Sequence, residues 1–185
     1  IGIEVIDFGV IGDNPIDLKN KIKDSVKEVD VLITTGGASV GDEDHMNSIL
    51  KRDGKVIFSK VSIKPGKPIV FGEIFGCPIF ALPGNPVSAF VTFLVLVKPA
   101  LMRLMGHVSP HNCYIKAKST FSSPATSREQ YLRGFARSVG DDLRVDLFPN
   151  QSSGVLSSVA KSNVLIRQTI GDNIYTEQLV DILYY

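Results

Sequence analysis

Two kinds of apolar periodicity alternate along the first half of the chain, and this alternation constrains the fold more strongly than any other feature. The runs VLIT and PIFAL are short and continuously apolar, as expected of strands in a sheet that is covered on both faces. Between such runs, residues 16–29 keep apolar side chains at helical spacing. Alternating strands and helices predict parallel strands joined by helical crossovers. The sequence therefore predicts an α/β fold with a three-layer, mostly parallel sheet.

The pattern changes at Gly106, and the change predicts a domain boundary. Before it, Pro99 is expected to kink or split the last helix. The predicted helices are residues 16–29, 42–54 and 87–106, and the predicted strands are residues 3–11, 30–35, 55–63, 69–74 and 77–82. After it, short alternating runs with many serines predict a small all-β domain. We therefore expect an α/β domain over residues 1–106 and a β-domain over residues 107–185.

Composition argues against several classes of function. The chain has 185 residues, 44% of them apolar and 21% charged, with a formal net charge of +1. A nucleic-acid-binding protein would show basic clusters, so we expect no nucleic-acid partner. The longest apolar stretch is interrupted by Lys98, Pro99 and Arg103, which argues against a membrane span. Cys77 and Cys113 form no disulfide or metal motif, and we expect a reduced, cytoplasmic protein.

The segment TTGGASVGDED, residues 34–44, places glycines and carboxylates close together after a predicted strand. Glycines there let backbone N–H groups approach a phosphate, although a plain tight turn has the same spacing. The acidic residues Asp42, Glu43 and Asp44 either complement a helix dipole or hold Mg²⁺, which prefers oxygen ligands. In the second case the glycines bind an anion and the carboxylates bind its metal.

Two rigid turns follow along the chain. SKVSIKPGKP carries Lys60, Lys64 and Lys67, and its prolines and glycine fix the direction of the lysines. Such lysines can hold an oxyanion, but a solvated hairpin has the same pattern. LPGNPVSA brackets Gly84 and Asn85 between two prolines before a predicted helix. That arrangement suits either an anion or carbonyl site or a simple strand-to-helix connection.

Taken in this order, the three motifs resemble those of the molybdopterin molybdenumtransferases, a family of molybdenum cofactor biosynthesis that includes the E domain of gephyrin. The shared pattern is a Gly-Gly-x-Ser-x-Gly loop with a following Asp, a Lys-Pro-Gly-Lys-Pro turn and a Leu-Pro-Gly-Asn-Pro loop. The matching residues are Gly36, Gly37, Ser39, Gly41 and Asp44; Lys64 to Pro68; and Leu82 to Pro86. YLRG at 131–134 and NQSSG at 150–154 resemble the C-terminal β-domain of the family.

The resemblance implies a reaction and a set of site residues. Such enzymes insert molybdenum from molybdate into adenylylated molybdopterin and release AMP with a divalent metal, expected here to be Mg²⁺. Asp13 and Asp44 match catalytic, metal-binding aspartates of the family, and Lys60 and Lys64 match its basic catalytic residues. The positions expected to contact the molybdopterin substrate are Thr35, Gly36, Gly37, Ser39, Gly41, Lys67, Pro83, Gly84, Asn85, Pro86, Arg133 and Ser153.

The resemblance also implies a larger protein with partners. The chain has no initiator Met and lacks the first strand and helix of the family's molybdopterin-binding fold, so we expect a C-terminal fragment. The full-length form is expected to be a homodimer that receives its substrate from an upstream adenylyltransferase. Two alternatives stay open at this point. One is a non-catalytic, gephyrin-like scaffold or ligand-binding module, and the other is a molybdopterin adenylyltransferase, which shares the α/β fold but is usually a single domain.

Overall fold

The computed structural model describes residues 2–12, 14–36 and 45–185. The chain divides into two compact units, Ile1–Val61 with Gly66–Gly84, and Ser62–Pro65 with Asn85–Tyr185. The long apolar helix groups with the second unit, whereas the sequence places it in the first domain. The predicted domain boundary at residue 106 stays a prediction.

The secondary structure combines helices and strands in the first unit and is dominated by strands after residue 106. The helices are α1 (Pro15–Ser25), α2 (His45–Asp53), α3 (Pro86–Thr92), α4 (Lys98–Leu104) and α5 (Ser157–Ala160). The strands are β1 (Leu32–Thr35), β2 (Gly54–Ser59), β3 (Ile63–Lys64), β4 (Val70–Ile74), β5 (Cys77–Leu82), β6 (Ile115–Ser119), β7 (Glu129–Val139), β8 (Asp142–Leu147), β9 (Val164–Gln168) and β10 (Leu179–Tyr184). The broad prediction of an α/β part followed by a β part is therefore confirmed.

The sheet of the first unit has four strands in the order β1-β5-β4-β2. Strands β1 and β5 are parallel, but β5 with β4 and β4 with β2 are antiparallel. The sheet is thus mixed rather than mostly parallel. The reason lies in the two-residue link Phe75–Gly76, whose φ angles of 50° and 83° suit a tight hairpin turn. A link of two residues can join only antiparallel strands.

The predicted strand over residues 3–11 is wrong. Residues 2–12 pair with no strand in the part of the chain that the structure describes, and Val5 and Val10 are 82% and 103% exposed. The backbone N–H of Gly9 instead donates to the Asp7 carboxylate at 2.8 Å, and φ of Gly9 is 76°. Local bonds of this kind compete with strand pairing, and apolar alternation gives no strand without a partner.

The core of the first unit joins α1 and α2 to the sheet. Ile22 of α1 and Leu50 of α2 are almost fully buried. They share one apolar cluster with residues from β1, β4 and β5, and the buried members are Ile22, Leu32, Met46, Ile49, Leu50, Val70, Ile74, Cys77, Ile79 and Ala81. This cluster holds β1 and β5 in place, and it thereby fixes where their carboxyl ends lie.

The long helix of the second unit is interrupted before Pro99. A π-helical segment, Phe93–Val97, separates α3 from α4. Proline lacks the backbone N–H that a regular turn needs, which explains a local change of hydrogen-bond pattern there. Among the described residues, Pro86–Leu104 is the one helix long and apolar enough to cross a membrane, and 44% of its most apolar window is buried inside the protein. A core helix passes the same test, so the absence of a membrane span stays a prediction.

The strands of the second unit form a barrel. Their order is β3-β7-β8-β6-β10-β9, and an additional pairing of β7 with β9 closes the sheet. Strand β3 lies outside this ring, and among the described strands its partner is β7, to which it runs parallel. The barrel interior is apolar, and its buried members are Ala117, Leu132, Ala136, Val145, Val164, Ile166, Ile174, Val180 and Ile182. A closed sheet leaves no free edge within the ring. Strand β7 is therefore held by its neighbours in the ring, and β3 pairs with it from outside.

Candidate functional site

Two short loops lie side by side at one end of the first unit. Strands β1 and β5 are in register at Thr35 and Leu82, so both end at the same edge of the sheet. The Thr35 hydroxyl donates to the Pro83 carbonyl at 3.2 Å and ties the loops together. In an open α/β sheet, the carboxyl ends of parallel strands are where ligands bind.

Two glycines make this close approach possible. A Cβ atom on Gly84 would lie 3.3 Å from the Cα atom of Gly36, which is tighter than ordinary van der Waals contact. Gly36 also has a φ of 86°, a left-handed conformation that other residues rarely adopt. The structure therefore brings together Thr35, Gly36, Pro83 and Gly84, four of the residues predicted to bind the substrate. Because glycine has no side chain, the backbone at both positions is not shielded by one.

Five of the other predicted site residues lie outside the described residues. They are Asp13, Gly37, Ser39, Gly41 and Asp44. Within the described ranges, no group of three or more His, Cys, Asp or Glu side chains could hold a metal ion. The Mg²⁺ site predicted at Asp13 and Asp44 therefore stays a prediction.

The basic turn begins at a residue in an unusual conformation. Lys60 has a φ of 66°, and its backbone N–H donates to the Ile69 carbonyl at 2.9 Å. The N–H of Val61 donates to the Lys67 carbonyl at 3.0 Å and closes the turn. Lys60 and Lys67 are both exposed. A positive φ at a non-glycine residue is a strained conformation that often marks a functional position.

Lys64 belongs to the second unit and lies in β3, the strand that pairs with the barrel. In β3, Ile63 and Lys64 are paired with Glu129 and Gln130 of β7. Ile63 is buried and Lys64 is exposed, and the Lys64–Pro65 peptide bond is cis. The structure thus fixes Lys64 through the backbone of a strand, while its ammonium group faces solvent.

Asn85 and Ser153 are brought together in the second unit. The side-chain amide of Asn85 donates to the Ser153 hydroxyl at 3.3 Å. The other side-chain atom, Asn85 Oδ1, is buried and has no hydrogen-bond donor among the described residues. Asn85 caps α3 with its backbone carbonyl, which accepts from Ala89 at 2.9 Å, and Pro86 takes the first helical turn, where it needs no N–H donor. Asn85 Oδ1 is therefore a buried acceptor whose hydrogen-bonding capacity is not used within the described residues.

Arg133 is a buried cation with neutral partners. The residue is only 1% exposed. Nε donates to the Ser158 hydroxyl at 3.1 Å, and the two terminal nitrogens donate to the carbonyls of Tyr131 and Ser152 at 3.4 and 3.3 Å. Burial lowers the pKa of Arg133, and Tyr185 partly offsets this effect. Three of its five N–H donors are used, and in the described part of the chain no carboxylate pairs with it.

Gln151, which was not among the predicted site residues, bonds through its side chain to the backbone of Arg133. The Gln151 carbonyl oxygen accepts from the Arg133 N–H at 3.0 Å, and its amide donates to the carbonyls of Arg133 and Phe148 at 2.8 and 2.7 Å. Through these bonds Gln151 fixes the segment that carries Ser153. The polar run NQSSG between two strands could have pointed to Gln151, because a side-chain amide in such a loop often forms hydrogen bonds with backbone groups.

Comparisons with known protein families agree with the domain order. A family described as a probable molybdopterin binding domain matches residues 1–103. A second, described as the MoeA C-terminal region (domain IV), matches residues 116–174.

Curated relatives and solved structures carry related names. A molybdopterin molybdenumtransferase of Haemophilus influenzae is 36% identical over 168 residues, which are 88% of this chain and 41% of that protein. Gephyrin of Dictyostelium discoideum is 39% identical over 114 residues, or 53% of this chain and 16% of that protein. A molybdopterin biosynthesis MoeA protein of Pyrococcus horikoshii has a TM-score of 0.75 at 26% identity, over 93% of this chain and 41% of that one. The chain thus spans less than half the length of these relatives.

Proposed function

This chain belongs to the molybdopterin molybdenumtransferase family, and we propose that the protein of which it forms part inserts molybdenum from molybdate into adenylylated molybdopterin and releases AMP. The membership itself places the chain in molybdenum cofactor biosynthesis. The observation that carries the finer proposal is the contact between Gly36 and Gly84 at the carboxyl ends of β1 and β5.

The glycine contact suits a substrate that carries phosphate groups. Two loops without side chains at Gly36 and Gly84 leave backbone accessible at the sheet edge where ligands bind. Backbone N–H groups in such loops are good partners for phosphate oxygens. We propose that this edge binds the phosphates that link AMP to molybdopterin. The hydrogen bond between Thr35 and Pro83 fixes the distance between the two loops.

Three lysines supply the positive charge that the reaction needs. Lys60, Lys64 and Lys67 are exposed, and none forms an ion pair with a carboxylate of the described ranges. Free ammonium groups can stabilise the charge that develops on phosphate and molybdate oxygens. Cleavage of a phosphoanhydride requires such positioning and charge stabilisation more than a protein nucleophile. We therefore assign catalytic roles to Lys60 and Lys64 and a binding role to Lys67.

The second unit has hydrogen-bonding groups whose capacity is not fully used within the described residues. Arg133 keeps two N–H donors without an acceptor in the described chain, and Asn85 keeps one buried acceptor. Ser153 is joined to Asn85 and follows Ser152, which accepts from Arg133. A ligand with both acceptors and donors would satisfy these groups, as molybdate oxygens and the pterin ring would do.

The remaining parts of the proposal rest on the resemblance. Asp13 and Asp44 would hold Mg²⁺, which would supply charge neutralisation at the phosphates when bound. A homodimer, an upstream adenylyltransferase and a cytoplasmic location are likewise proposed for the longer protein.

Titration with ligand tests the proposal. Calorimetry of this chain with adenylylated molybdopterin and Mg²⁺ should give a dissociation constant of about 1 μM, near −8 kcal/mol. Lys64→Ala should weaken binding about tenfold, whereas Lys161→Ala, which removes the same charge from the exposed residue that follows α5, should not. In the longer protein, AMP release should require molybdate.

Two outcomes would overturn the proposal. A folded wild-type chain that binds no adenylylated molybdopterin would favour the gephyrin-like scaffold. Transfer of AMP from ATP to molybdopterin, with no dependence on molybdate, would favour an adenylyltransferase.

A further inference from the structure

The strand that carries Lys64 is too short to hold itself in place. Strand β3 has two residues, Ile63 and Lys64, and its partner in the described sheet is β7. Strands of this length have few ladder bonds, and their position depends on the partner strand. The position of the Lys64 ammonium group therefore depends on how firmly the first residues of β7 are held.

Two hydrogen bonds from Arg128 and Glu129, at the start of β7, hold this short strand. Glu129 is in register with Ile63, and its backbone N–H donates to the Ser62 carbonyl at 3.0 Å. The guanidinium of Arg128 donates to the Ile63 carbonyl at 3.3 Å. Glu129 is thus the residue of β7 on which the pairing with β3 begins.

Among the described strands, Glu129 lies outside the pairings of β7 with β8 and β9. The pairing of β7 with β9 begins at Gln130 and Gln168, one residue further along. The pairing with β8 begins only at Gly134. Among the described strands, the ring of the barrel therefore does not hold residue 129 directly.

The side chain of Glu129 bonds to β9 and to β7 itself. Arg167 of β9 donates to both of its carboxylate oxygens, at 2.8 and 3.3 Å, and the Tyr131 hydroxyl donates to it at 2.6 Å. The Arg167 guanidinium lies 5.3 Å from the centre of the Tyr114 ring, and the Tyr114 and Tyr131 hydroxyls are 3.3 Å apart. A bidentate pair with a stacked guanidinium has a defined geometry and restrains both residues.

The network keeps Glu129 in its charged form. The Glu129 side chain is 22% exposed. Burial alone would raise its pKa, but the hydrogen bonds from Arg167 and Tyr131 lower it below the usual value. The carboxylate is therefore available as an acceptor of three bonds at neutral pH.

We propose that Glu129 is a positioning residue for Lys64: through its bonds to Arg167 and Tyr131 it fixes the start of β7, and β7 in turn fixes β3. The inference rests on the proposed function, because it assumes that Lys64 binds the substrate's oxyanion. Glu129 itself touches no substrate in this scheme. Its loss should act only through Lys64.

A double-mutant cycle tests the scheme. The variants are Lys64→Ala, Glu129→Gln and the two combined, and calorimetry measures the affinity for adenylylated molybdopterin. Glu129→Gln keeps the shape of the side chain but loses the charge, and it should weaken binding about tenfold. The double variant should bind as Lys64→Ala does, because the two residues act in series. Independent, additive losses would overturn the proposal.

The chain offers a matched control. Arg144 also donates to both carboxylate oxygens of Glu177, at 2.9 and 3.1 Å, on another part of the barrel. Glu177→Gln is the same chemical change and should leave affinity within about twofold of wild type. Equal weakening by Glu177→Gln would mean that any lost pair on the barrel has this effect, which contradicts a specific role of Glu129. Tyr131→Phe provides a milder second variant, with a smaller loss expected, if Glu129→Gln does not fold.

A measurement without ligand separates this inference from the proposed function. Amide hydrogen exchange by NMR should be faster at residue 129 in Glu129→Gln than in wild type, with the β7–β8 amides unchanged. If wild type binds no ligand but this exchange increases, the proposed function fails and the bracing of β3 stands. If the exchange at residue 129 is unchanged, the positioning role is wrong whatever the ligand does.

Discussion

The glycine edge of the first unit and the polar network of the barrel are built in opposite ways. At the glycine edge, defined by the loops after β1 and β5, the absence of side chains at Gly36 and Gly84 lets two backbones approach closely. In the barrel, long side chains such as Arg133 and Glu129 do the positioning, and each depends on several partners. Both constructions join residues far apart in the sequence, but the first needs only a small residue in each of two loops, whereas the second needs several specific side-chain partners. Substitutions in the two regions should therefore fail in different ways.

The largest expected effect is the loss of a buried cation in the barrel. Arg133→Ala removes the donors to the Ser158 hydroxyl and to the carbonyls of Tyr131 and Ser152, and it opens a cavity. We expect a loss of about 3 kcal/mol in the free energy of unfolding. Arg133→Met, which fills the space without charge, should cost about half as much. Urea denaturation checks both, and equal stability of Arg133→Ala and wild type would contradict the role of the network.

At the glycine edge the expected loss of stability is smaller and conformational. Gly36→Ala forces a side chain into a φ of 86° and should cost about 1 kcal/mol. Gly154→Ala is the control, because its Cβ would have only the Ser152 hydroxyl near it, at 3.9 Å. Urea denaturation of both variants should separate them. A Gly36→Ala variant as stable as Gly154→Ala would refute the requirement for glycine.

Substitutions at Lys60 test whether a lysine occupies this strained backbone position because its ammonium group takes part in binding. Because its φ is 66°, Lys60→Gly should be more stable to urea than Lys60→Ala by about 1 kcal/mol. Both variants should bind adenylylated molybdopterin more weakly than wild type. If Lys60→Gly keeps wild-type affinity, the ammonium group has no part in binding.

The smallest expected effect is a pH dependence specific to the barrel. The bonds from Arg167 and Tyr131 lower the pKa of Glu129 in the folded state, so its contribution to stability is present above the unfolded-state value of 4.5 and is lost as pH falls through the lower folded-state value. The urea midpoint of wild type should therefore drop more than that of Glu129→Gln between about pH 5 and pH 3. Parallel curves for the two proteins would contradict this assignment.

The two regions also differed in how far the sequence predicted them. Short apolar runs and Gly-Pro motifs located β1, β4, β5 and the loops after them, because local geometry demands those residue types. The pair of Glu129 and Arg167 is 38 residues apart and has no local signature. The short link at Phe75–Gly76 could have predicted a hairpin, because glycine favours a tight turn between two strands. This signal was not used, and so the sheet was expected to be mostly parallel. The strand over residues 3–11 failed because pairing depends on a partner, which periodicity does not reveal.

The most direct test of the central claim is a calorimetric titration of adenylylated molybdopterin into Gly84→Val. The added side chain would occupy the contact between the Gly84 and Gly36 backbones, where even a Cβ atom lies 3.3 Å from Gly36 Cα. Ala125→Val, on an exposed loop, serves as the control. We predict that Gly84→Val weakens binding at least about tenfold while it stays folded and that the control binds as wild type does. Wild-type affinity in a folded Gly84→Val variant would show that the ligand does not use this edge of the sheet.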